Sequence, residues 1–375
     1  MEIELDLYLH IGTEKTGTTS VQKFMDIHRD RFREIGILYP RAPGRANHLG
    51  IPGLAQAPAG ELRAKLNIRS DQDQAIFREK LKRDLGLELK SGIFHKVVMS
   101  SEHCSSRLRS DEEVGVLREF LREFFDSIYI VAYLRRQDEF LLSTYSTQIK
   151  CGRTKRLHVP DSDSMRDRYD YWELLSRWAR AFGRERVVCR RYQKNLLANG
   201  NIIDDFLITT GIGQSGNLER PPHLNESLDA DCLEFLRLMN KHLDESFRLR
   251  KLVRLLEEIS AGPLLSLPDH MLDQFMRSLR ESNRRVASEY FGGEILGSAD
   301  PLFGARTDDR PRTSEQKIEP RRMVEITAKV LDRWARDKKH RSTGRDFGVR
   351  KRPQNAEDEL SDIAIADVDL VEVAR

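Results

Sequence analysis

The sequence lacks the features that mark several large classes of protein. It has only four cysteines in 375 residues and no CxxC pair, which argues against a disulfide framework or a zinc site. No apolar run approaches the roughly 18 residues that a membrane helix needs. The N-terminus begins with acidic residues and an alternating pattern, where a signal peptide would have a basic and then an apolar stretch. We therefore expect no membrane span and a cytoplasmic location.

An excess of charge of one sign is also absent. The chain has 63 Lys and Arg against 60 Asp and Glu, and its formal net charge is +3. A balance of this kind does not indicate a dedicated nucleic-acid binder. The length allows one large domain or two ordinary ones, at roughly 150 residues per domain.

The first clear pattern is a strand, a glycine loop and a helix. Apolar residues alternate strictly from Leu5 to Ile11, which is the period of a strand. A loop follows from Gly12 to Gly17. Apolar residues between positions 21 and 35 then recur at helical spacing, and Gly36 stands where a C-terminal cap belongs.

Further strands alternate with helices along the chain. The predicted strands are Val97–Met99, Ile128–Leu134 and Val187–Cys189, and the clearest helix between them has an apolar stripe from Trp172 to Phe182. Ile128–Leu134 is apolar almost throughout, as in a strand buried on both faces. The alternation predicts an α/β fold, with a P-loop-like, mainly parallel sheet flanked by helices.

The C-terminal part, from about residue 221, is predicted to be mainly helical and to contain no strand. The predicted helices are Leu228–His242, Phe247–Ile259 and Met271–Phe291. Residues 304–375 are rich in charge, and we expect a partly disordered tail with one helix at Val324–Trp334. Residues 41–60, which hold four glycines and three prolines, are too irregular for a regular element and long enough to frame a substrate.

The loop after the first strand is predicted to bind an anion. Backbone N–H groups of a glycine loop that leads into a helix N-terminus are unpaired, and the helix dipole favours negative charge there. Lys15 adds a cation, and Thr18, Thr19 and Ser20 add hydroxyl groups. The P-loop of nucleoside triphosphatases has its lysine directly after the last glycine, whereas Lys15 precedes Gly17, which makes an ATPase less favoured.

Lys15-Thr16-Gly17-Thr18-Thr19 resembles the 5′-phosphosulfate loop of sulfotransferases that use 3′-phosphoadenosine 5′-phosphosulfate (PAPS). The resemblance implies that Lys15, Thr16, Gly17, Thr18, Thr19 and Ser20 form the cofactor-binding loop. In that family, the loop amides and hydroxyls hold the 5′-phosphate, and the lysine reaches toward the sulfuryl group as it leaves. No metal is implied, because the lysine and the amides supply the positive field.

A second element of the same family follows a later strand. It is an arginine at the strand end and a serine eight positions on, which together grip the 3′-phosphate of PAPS. Arg135 and Ser143 have this spacing after the strand Ile128–Leu134. A guanidinium can bind a phosphate through two donors, and a hydroxyl two turns into the next helix adds another. Arg136 is a weaker indicator of the family, since the family tolerates other residues at that position.

Other stretches resemble the bacterial carbohydrate-type branch of this family. Tyr192 resembles a tyrosine that contacts the adenine, with a core or surface role as the alternative. The remaining similar stretches are Asp204–Leu207 with Gly211, Asn225–Leu228, Ser282–Arg284 and Tyr290–Gly292. The resemblance covers about residues 5 to 303, so we expect a sulfotransferase domain over 1–303.

Glu102 and His103 are the candidate bases. They follow the strand Val97–Met99 and are therefore expected at the same sheet edge as the Lys15 loop. In the family, carbohydrate sulfotransferases commonly use a glutamate after this strand, and the branch acting on small phenols and steroids uses a histidine. We favour Glu102 as the base, with His103 as its partner or substitute. His48 is a candidate for acceptor binding, with a solvated loop histidine as the alternative.

These observations predict a PAPS-dependent sulfotransferase. The expected acceptor group is a hydroxyl or an amine. It belongs to a carbohydrate or glycolipid-like acceptor, which is a small molecule or a glycan. A P-loop kinase or other nucleoside triphosphatase is one alternative. The other is a non-catalytic nucleotide-binding protein of the same fold.

Overall fold

The computed structural model describes residues 5–213, 216, 218–221, 227–243, 249–296, 298–306 and 310–343. The chain forms two compact units, each built from separate segments. The first unit comprises Met1–Gln137, Pro160–His223 and Met276–Thr307, and the second comprises Asp138–Val159, Leu224–Phe275 and Asp308–Arg375.

The strands of the described residues form two sheets. In chain order they are β1 (Asp6–Gly12), β2 (Ile37–Leu38), β3 (Lys96–Ser100), β4 (Ser127–Leu134), β5 (Val187–Arg191), β6 (Leu264–Leu265) and β7 (Arg312–Thr313). The first five form one sheet in the order β2-β3-β1-β4-β5, and every neighbouring pair is parallel. β1 is therefore the central strand, between β3 and β4.

The helices account for most of the remaining described residues. In chain order they are α1 (Thr18–Ile27), α2 (Arg29–Glu34), α3 (Gly50–Ala55), α4 (Glu61–Lys65), α5 (Asp71–Lys90), α6 (His103–Arg107), α7 (Asp111–Leu121), α8 (Gln137–Lys150), α9 (Ser162–Tyr169), α10 (Tyr171–Phe182), α11 (Ile202–Thr209), α12 (Ala230–Met239), α13 (Leu249–Ile259), α14 (Asp269–Ser278), α15 (Arg280–Tyr290) and α16 (Pro320–Thr343). None of them, within the described residues, is long and apolar enough to cross a membrane.

The five-stranded sheet is buried on both faces. Leu7, Leu9 and Ile11 of β1 are fully buried in one apolar cluster, which includes side chains of α7 and α10. Val98 of β3 and Val131 of β4 belong to a second cluster with side chains of α1 and α11. Because helices cover both faces, the strands read as nearly continuous apolar runs. The predicted α/β fold with a helix-flanked parallel sheet is confirmed.

The chain differs from the sequence prediction in several places. The C-terminal part does contain strands, since β6 and β7 form a short parallel pair in the second unit. The irregular segment 41–60 contains a helix, α3, in which all six residues are buried. The burial of α3 against the core outweighs the low helix propensity of its glycines and proline. The predicted single helix over 271–291 is two helices, α14 and α15, with Leu279 between them.

The second unit consists mainly of helices. α16 contacts both α12 and α13, and the predicted helix Val324–Trp334 lies within it. A nearly fully buried ion pair joins Arg237 Nε and Glu234 Oε2 at 2.7 Å, and Arg237 Nη1 also donates to the Thr154 carbonyl oxygen at 2.8 Å. Residues 344–375 of the expected disordered tail lie outside the described residues, so that expectation stays a prediction.

Candidate active site

The ends of three adjacent strands bring the candidate residues of the first unit together. β1, β3 and β4 are parallel neighbours, so the segments after them emerge at one edge, where open α/β sheets bind ligands. The approach is close, since a Cβ atom on Gly12 would lie 3.0 Å from Cβ of Glu102. Gly12 has φ +94°, in the left-handed region that favours glycine.

The loop after β1 is fixed by its own hydrogen bonds. The backbone N–H and the hydroxyl of Thr13 both donate to the Tyr133 carbonyl oxygen, each at 2.9 Å. The buried Thr16 hydroxyl donates to the Thr13 carbonyl oxygen at 2.5 Å. These bonds hold the loop against β4, and they occupy the Thr16 hydroxyl within the loop. Lys15, at φ +61°, is partly exposed at its tip.

Gly17 is the residue from which α1 starts. Its φ of +79° again favours glycine, and no side chain caps the helix. A Cβ atom at Gly17 would lie 3.0 Å from Ile202 Cγ2, so a larger residue would be crowded. The first N–H groups of a helix have no acceptor within the helix. Thr19 and Ser20, in this first turn, are partly exposed, while Thr18 is buried.

Arg135 and Tyr192 lie beside this loop. Arg135 Nη1 donates to the Lys15 carbonyl oxygen at 3.0 Å, and its guanidinium carbon is 5.8 Å from the centre of the Tyr192 ring. The Tyr192 backbone N–H donates to the Leu134 carbonyl oxygen at 2.7 Å. Its hydroxyl would be 3.4 Å from a Cβ atom on Gly17. The structure thus brings Lys15, Gly17, Arg135 and Tyr192 together.

Ser143 lies on α8, in the second unit. Its carbonyl oxygen accepts a hydrogen bond from the Thr147 hydroxyl at 3.1 Å. A shared role for Ser143 and Arg135 at a 3′-phosphate stays a prediction from their spacing. Arg136 donates through Nη1 to the carbonyl oxygen of Gly304, which gives it a contact within the first unit.

Glu102 is held by two neutral amides. Gln22 Nε2 donates to Glu102 Oε2 at 2.7 Å, and Asn47 Nδ2 donates to the same oxygen at 3.2 Å. Burial raises the pKa of the Glu102 carboxyl above its ordinary value, and the nearby Glu14 carboxylate adds to that effect. Hydrogen bonds from the Glu102 backbone N–H and from Gln22, and the charge of Lys15, oppose the rise without cancelling it.

His103 is the first residue of α6 and is 1% exposed. Neither ring nitrogen has a hydrogen-bond partner among the described residues. Burial lowers the pKa of His103 to about 4, with Arg107 and Lys65 contributing and Glu14 opposing. The imidazole is therefore neutral at pH 7.

A buried ionic cluster borders the loop. Glu14, directly before Lys15, is 3% exposed. Its carboxylate lies 3.5 Å from Arg107 Nη1 and 3.7 Å from Arg168 Nη2. Arg107 Nε also bonds Glu61 Oε1 at 2.5 Å. Burial alone would raise the pKa of Glu14, but Arg168 and Arg107 hold it below its ordinary value. Glu14 is therefore a fixed anion that anchors the loop.

His48 is buried, so the alternative of a solvated loop histidine is wrong. Its Nδ1 accepts from the Ser100 backbone N–H at 3.0 Å, so Nε2 carries the proton and donates to the Pro40 carbonyl oxygen at 2.9 Å. These bonds tie the segment after β2 to the end of β3. Contact with an acceptor stays a prediction, because both ring nitrogens already bond the protein.

Sequence reasoning missed the residues that support the site. Gln22 had a signal, because it is a polar residue on the helix face that also buries Val21 and Met25. Asn47, Glu14 and the arginines had none, since their partners are distant in sequence.

Of the stretches that resemble the family, one makes structural contacts and another lies partly outside the described residues. Asp205 accepts hydrogen bonds from Arg190 at 2.5 and 3.0 Å and from the Tyr133 hydroxyl at 2.7 Å. These contacts fix α11 to the sheet. Asn225 and Glu226 lie outside the described residues.

Comparison with known proteins gives little further guidance. No known family model matches the chain. An uncharacterized protein of Archaeoglobus fulgidus is 32% identical over 204 residues, which are 51% of this chain and 55% of that protein. The chain thus matches about half the length of that relative. The crystal structure of a sulfotransferase from Alicyclobacillus acidocaldarius is 15% identical and covers 66% of this chain and 95% of its own, with a TM-score of 0.34. A likeness at this level assigns no function.

Proposed function

We propose that the protein is a sulfotransferase that moves a sulfuryl group from PAPS to a hydroxyl, or an amine, of a carbohydrate or glycolipid-like acceptor. One observation carries the proposal. The Glu102 carboxyl, whose pKa is raised, stands beside a glycine and lysine loop of the anion-binding type at one edge of a parallel sheet. This arrangement offers a base and a cation to the same reaction.

The loop fits the 5′ end of such a donor. Lys15 and the first N–H groups of α1 supply positive charge, and the partly exposed Thr19 and Ser20 supply hydroxyl groups. When bound, PAPS supplies an activated sulfuryl group on a phosphate leaving group. The role of Lys15 is to stabilise the negative charge that develops on that phosphate. No metal is required in this scheme.

The 3′-phosphate is assigned to Arg135 and Ser143, and the adenine to Tyr192. The contact of Arg135 with the Lys15 carbonyl oxygen places its guanidinium at the loop, which supports the first assignment. The assignments of Ser143 and Tyr192 rest on the family resemblance. For Tyr192 there is also the position of its hydroxyl near Gly17.

Glu102 takes the proton from the acceptor. As the acceptor oxygen forms its bond to sulfur, the bond from sulfur to the phosphate oxygen breaks and the electron pair leaves with the phosphate. The hydroxyl proton passes to the carboxylate. A carboxylate whose pKa is raised is a more effective base than an ordinary one. His103, neutral and buried beside it, is the alternative base.

Two further functions must be separated from this one. A P-loop kinase or other nucleoside triphosphatase would bind ATP in preference to 3′,5′-ADP. A non-catalytic protein of the same fold would bind 3′,5′-ADP without transferring sulfate. Calorimetric titration with both nucleotides decides the first question, and transfer of ³⁵S from labelled PAPS to a panel of sugars and glycolipids decides the second. Preference for ATP, or absence of transfer, would contradict the proposal.

A further inference from the structure

Gln22 is buried on α1, 4% exposed, and its side-chain amide reaches two groups at the end of β3. Nε2 donates to Glu102 Oε2 at 2.7 Å and to the Ser100 hydroxyl oxygen at 3.2 Å. Both hydrogens of the amide are thereby used. An ionised carboxylate only accepts hydrogen bonds, so the nitrogen of Gln22 must face it. The arrangement therefore suits the charged form of Glu102.

Asn47 approaches the same carboxylate from the segment after β2. Its Nδ2 donates to Glu102 Oε2 at 3.2 Å, and its Oδ1 accepts from the Ser101 hydroxyl at 2.8 Å. The Ser101 bond directs the nitrogen toward the carboxylate. Two amides from different elements thus bond one oxygen of Glu102.

We propose that Gln22 and Asn47 are positioning residues that hold Oε2 of Glu102 and so fix the orientation in which its carboxylate receives the acceptor's proton. This inference rests on the proposed function, because it assumes that Glu102 is the base. The amides also favour the ionised carboxylate that a base must be. Neither residue is expected to touch the donor nucleotide.

Other ionisable groups face Glu102 from the surrounding elements. Lys15 and Glu14 approach from the loop after β1, Tyr39 from the segment after β2, and His103 and Cys104 from α6. Lys15 favours the ionised carboxylate and Glu14 disfavours it. These groups are present in every Gln22 or Asn47 variant, so a difference from the unaltered protein reports the amide alone.

The test compares kcat against pH for the unaltered protein and for Gln22→Leu. Loss of a hydrogen bond to a charged group should move the acidic limb of the profile up by about one to two pH units. The KM for PAPS and the affinity for 3′,5′-ADP should stay within about twofold. Asn47→Leu should produce a smaller shift, because its bond is longer. Gln56→Leu is the matched control: Gln56 is also a buried glutamine, and its Oε1 accepts from the Leu62 backbone N–H at 2.8 Å.

A double variant separates positioning from general damage to the fold. If Gln22 acts through Glu102, Gln22→Leu should lower kcat no further in a Glu102→Gln background. Full additivity, or an acidic limb that stays in place, would overturn the proposal. Should Gln22→Leu fail to fold, Gln22→Glu keeps the size of the side chain and sets a second carboxylate against Glu102. The acidic limb of the kcat profile should then move to still higher pH.

Failure of the proposed function can be recognised separately. If the unaltered protein transfers no sulfate, ¹³C NMR titration of the Glu102 carboxyl in the free protein still tests the amide contacts. Gln22→Leu should raise its pKa. An unchanged titration would overturn the positioning role whatever the reaction is.

Discussion

Glu14 and Glu102 are two carboxylates at one edge of the sheet, the first buried and the second half-buried, and their surroundings shift their pKa values in opposite directions. Glu14 faces Arg107 and Arg168, and its pKa is lowered despite burial. Glu102 faces the neutral amides of Gln22 and Asn47, and burial raises its pKa. The positive charge of Lys15 acts to lower the pKa of both carboxyls.

The difference shows how neighbouring groups divide two roles between residues of one type. A carboxylate between arginines is a permanent anion, suited to anchoring a loop. A carboxylate among neutral amides, with its pKa raised by burial, binds a proton more firmly than an ordinary one, which suits a general base. The environment, rather than the residue type, separates the anchor from the base.

Loss of the shared cation should have the largest effect. Lys15→Ala should lower transfer by about 10³-fold or more, since the leaving phosphate loses its positive partner in the transition state. The measurement is ³⁵S transfer from PAPS, with the melting temperature as the check on folding. Turnover within tenfold of the unaltered protein would contradict the role given to the loop.

Neutralising each carboxylate in turn tests the comparison itself. Glu102→Gln should lower kcat by about 10²–10⁴-fold with little change in the melting temperature. Glu14→Gln should instead lower the free energy of unfolding, by about 1–3 kcal/mol, since Arg107 and Arg168 lose a charged partner. Kinetics and thermal unfolding of both variants give the answer. Equal losses of kcat in the two variants would remove the distinction.

His103 sharpens the choice of base. His103→Ala should lower kcat markedly less than Glu102→Gln, because a buried neutral imidazole with a pKa of about 4 accepts protons poorly at pH 7. Both variants are compared under the same assay. If His103→Ala is the more damaging change, the histidine is the base and the carbohydrate-type mechanism is wrong.

The 3′-phosphate assignment predicts a moderate effect on binding. Arg135→Ala and Ser143→Ala should each weaken 3′,5′-ADP by roughly 10- to 150-fold, the equivalent of about 1.5–3 kcal/mol, and 5′-AMP much less. Arg191→Ala is the control, because Arg191 also ends a strand and donates to the Leu302 carbonyl oxygen at 3.1 Å. Equal weakening of both nucleotides would mean that these residues serve the fold.

The smallest expected effect is on the pH dependence of stability. The folded pKa of His103, about 4, lies below its unfolded value of about 6.5. Between these values the unfolded chain binds more protons, so the free energy of unfolding falls as the pH falls. His103→Gln should reduce this slope by up to about 1.4 kcal/mol per pH unit. Urea unfolding at pH 4.5, 5.5 and 6.5 measures it, and an unchanged slope would contradict a buried neutral His103.

The sequence predicted the sheet well because its strands are short apolar runs bounded by polar residues. β3, β4 and β5 each contain the predicted segment, and β1 covers all of the predicted strand except Leu5. The two-residue strands β2, β6 and β7 were missed, since two residues carry no period. The helix α3 was missed because glycine and proline disfavour helices locally, and only its burial in the folded chain compensates.

The candidate site could be predicted only in part. The Lys15 loop and Glu102 could be named because each directly follows a strand. Gln22 had a signal, as a polar residue on the buried face of α1. Asn47 and Arg168 had none, because they meet the two carboxylates only through contacts distant in sequence.

The most direct test of the division between the two carboxylates needs no acceptor. ¹³C NMR titration of the glutamate side chains, with Glu14→Gln and Glu102→Gln used for assignment, reports both groups in one protein. We expect Glu102 to titrate above the ordinary glutamate value of about 4.3 and Glu14 to titrate below it. The same pKa for both, or the reverse order, would contradict the account.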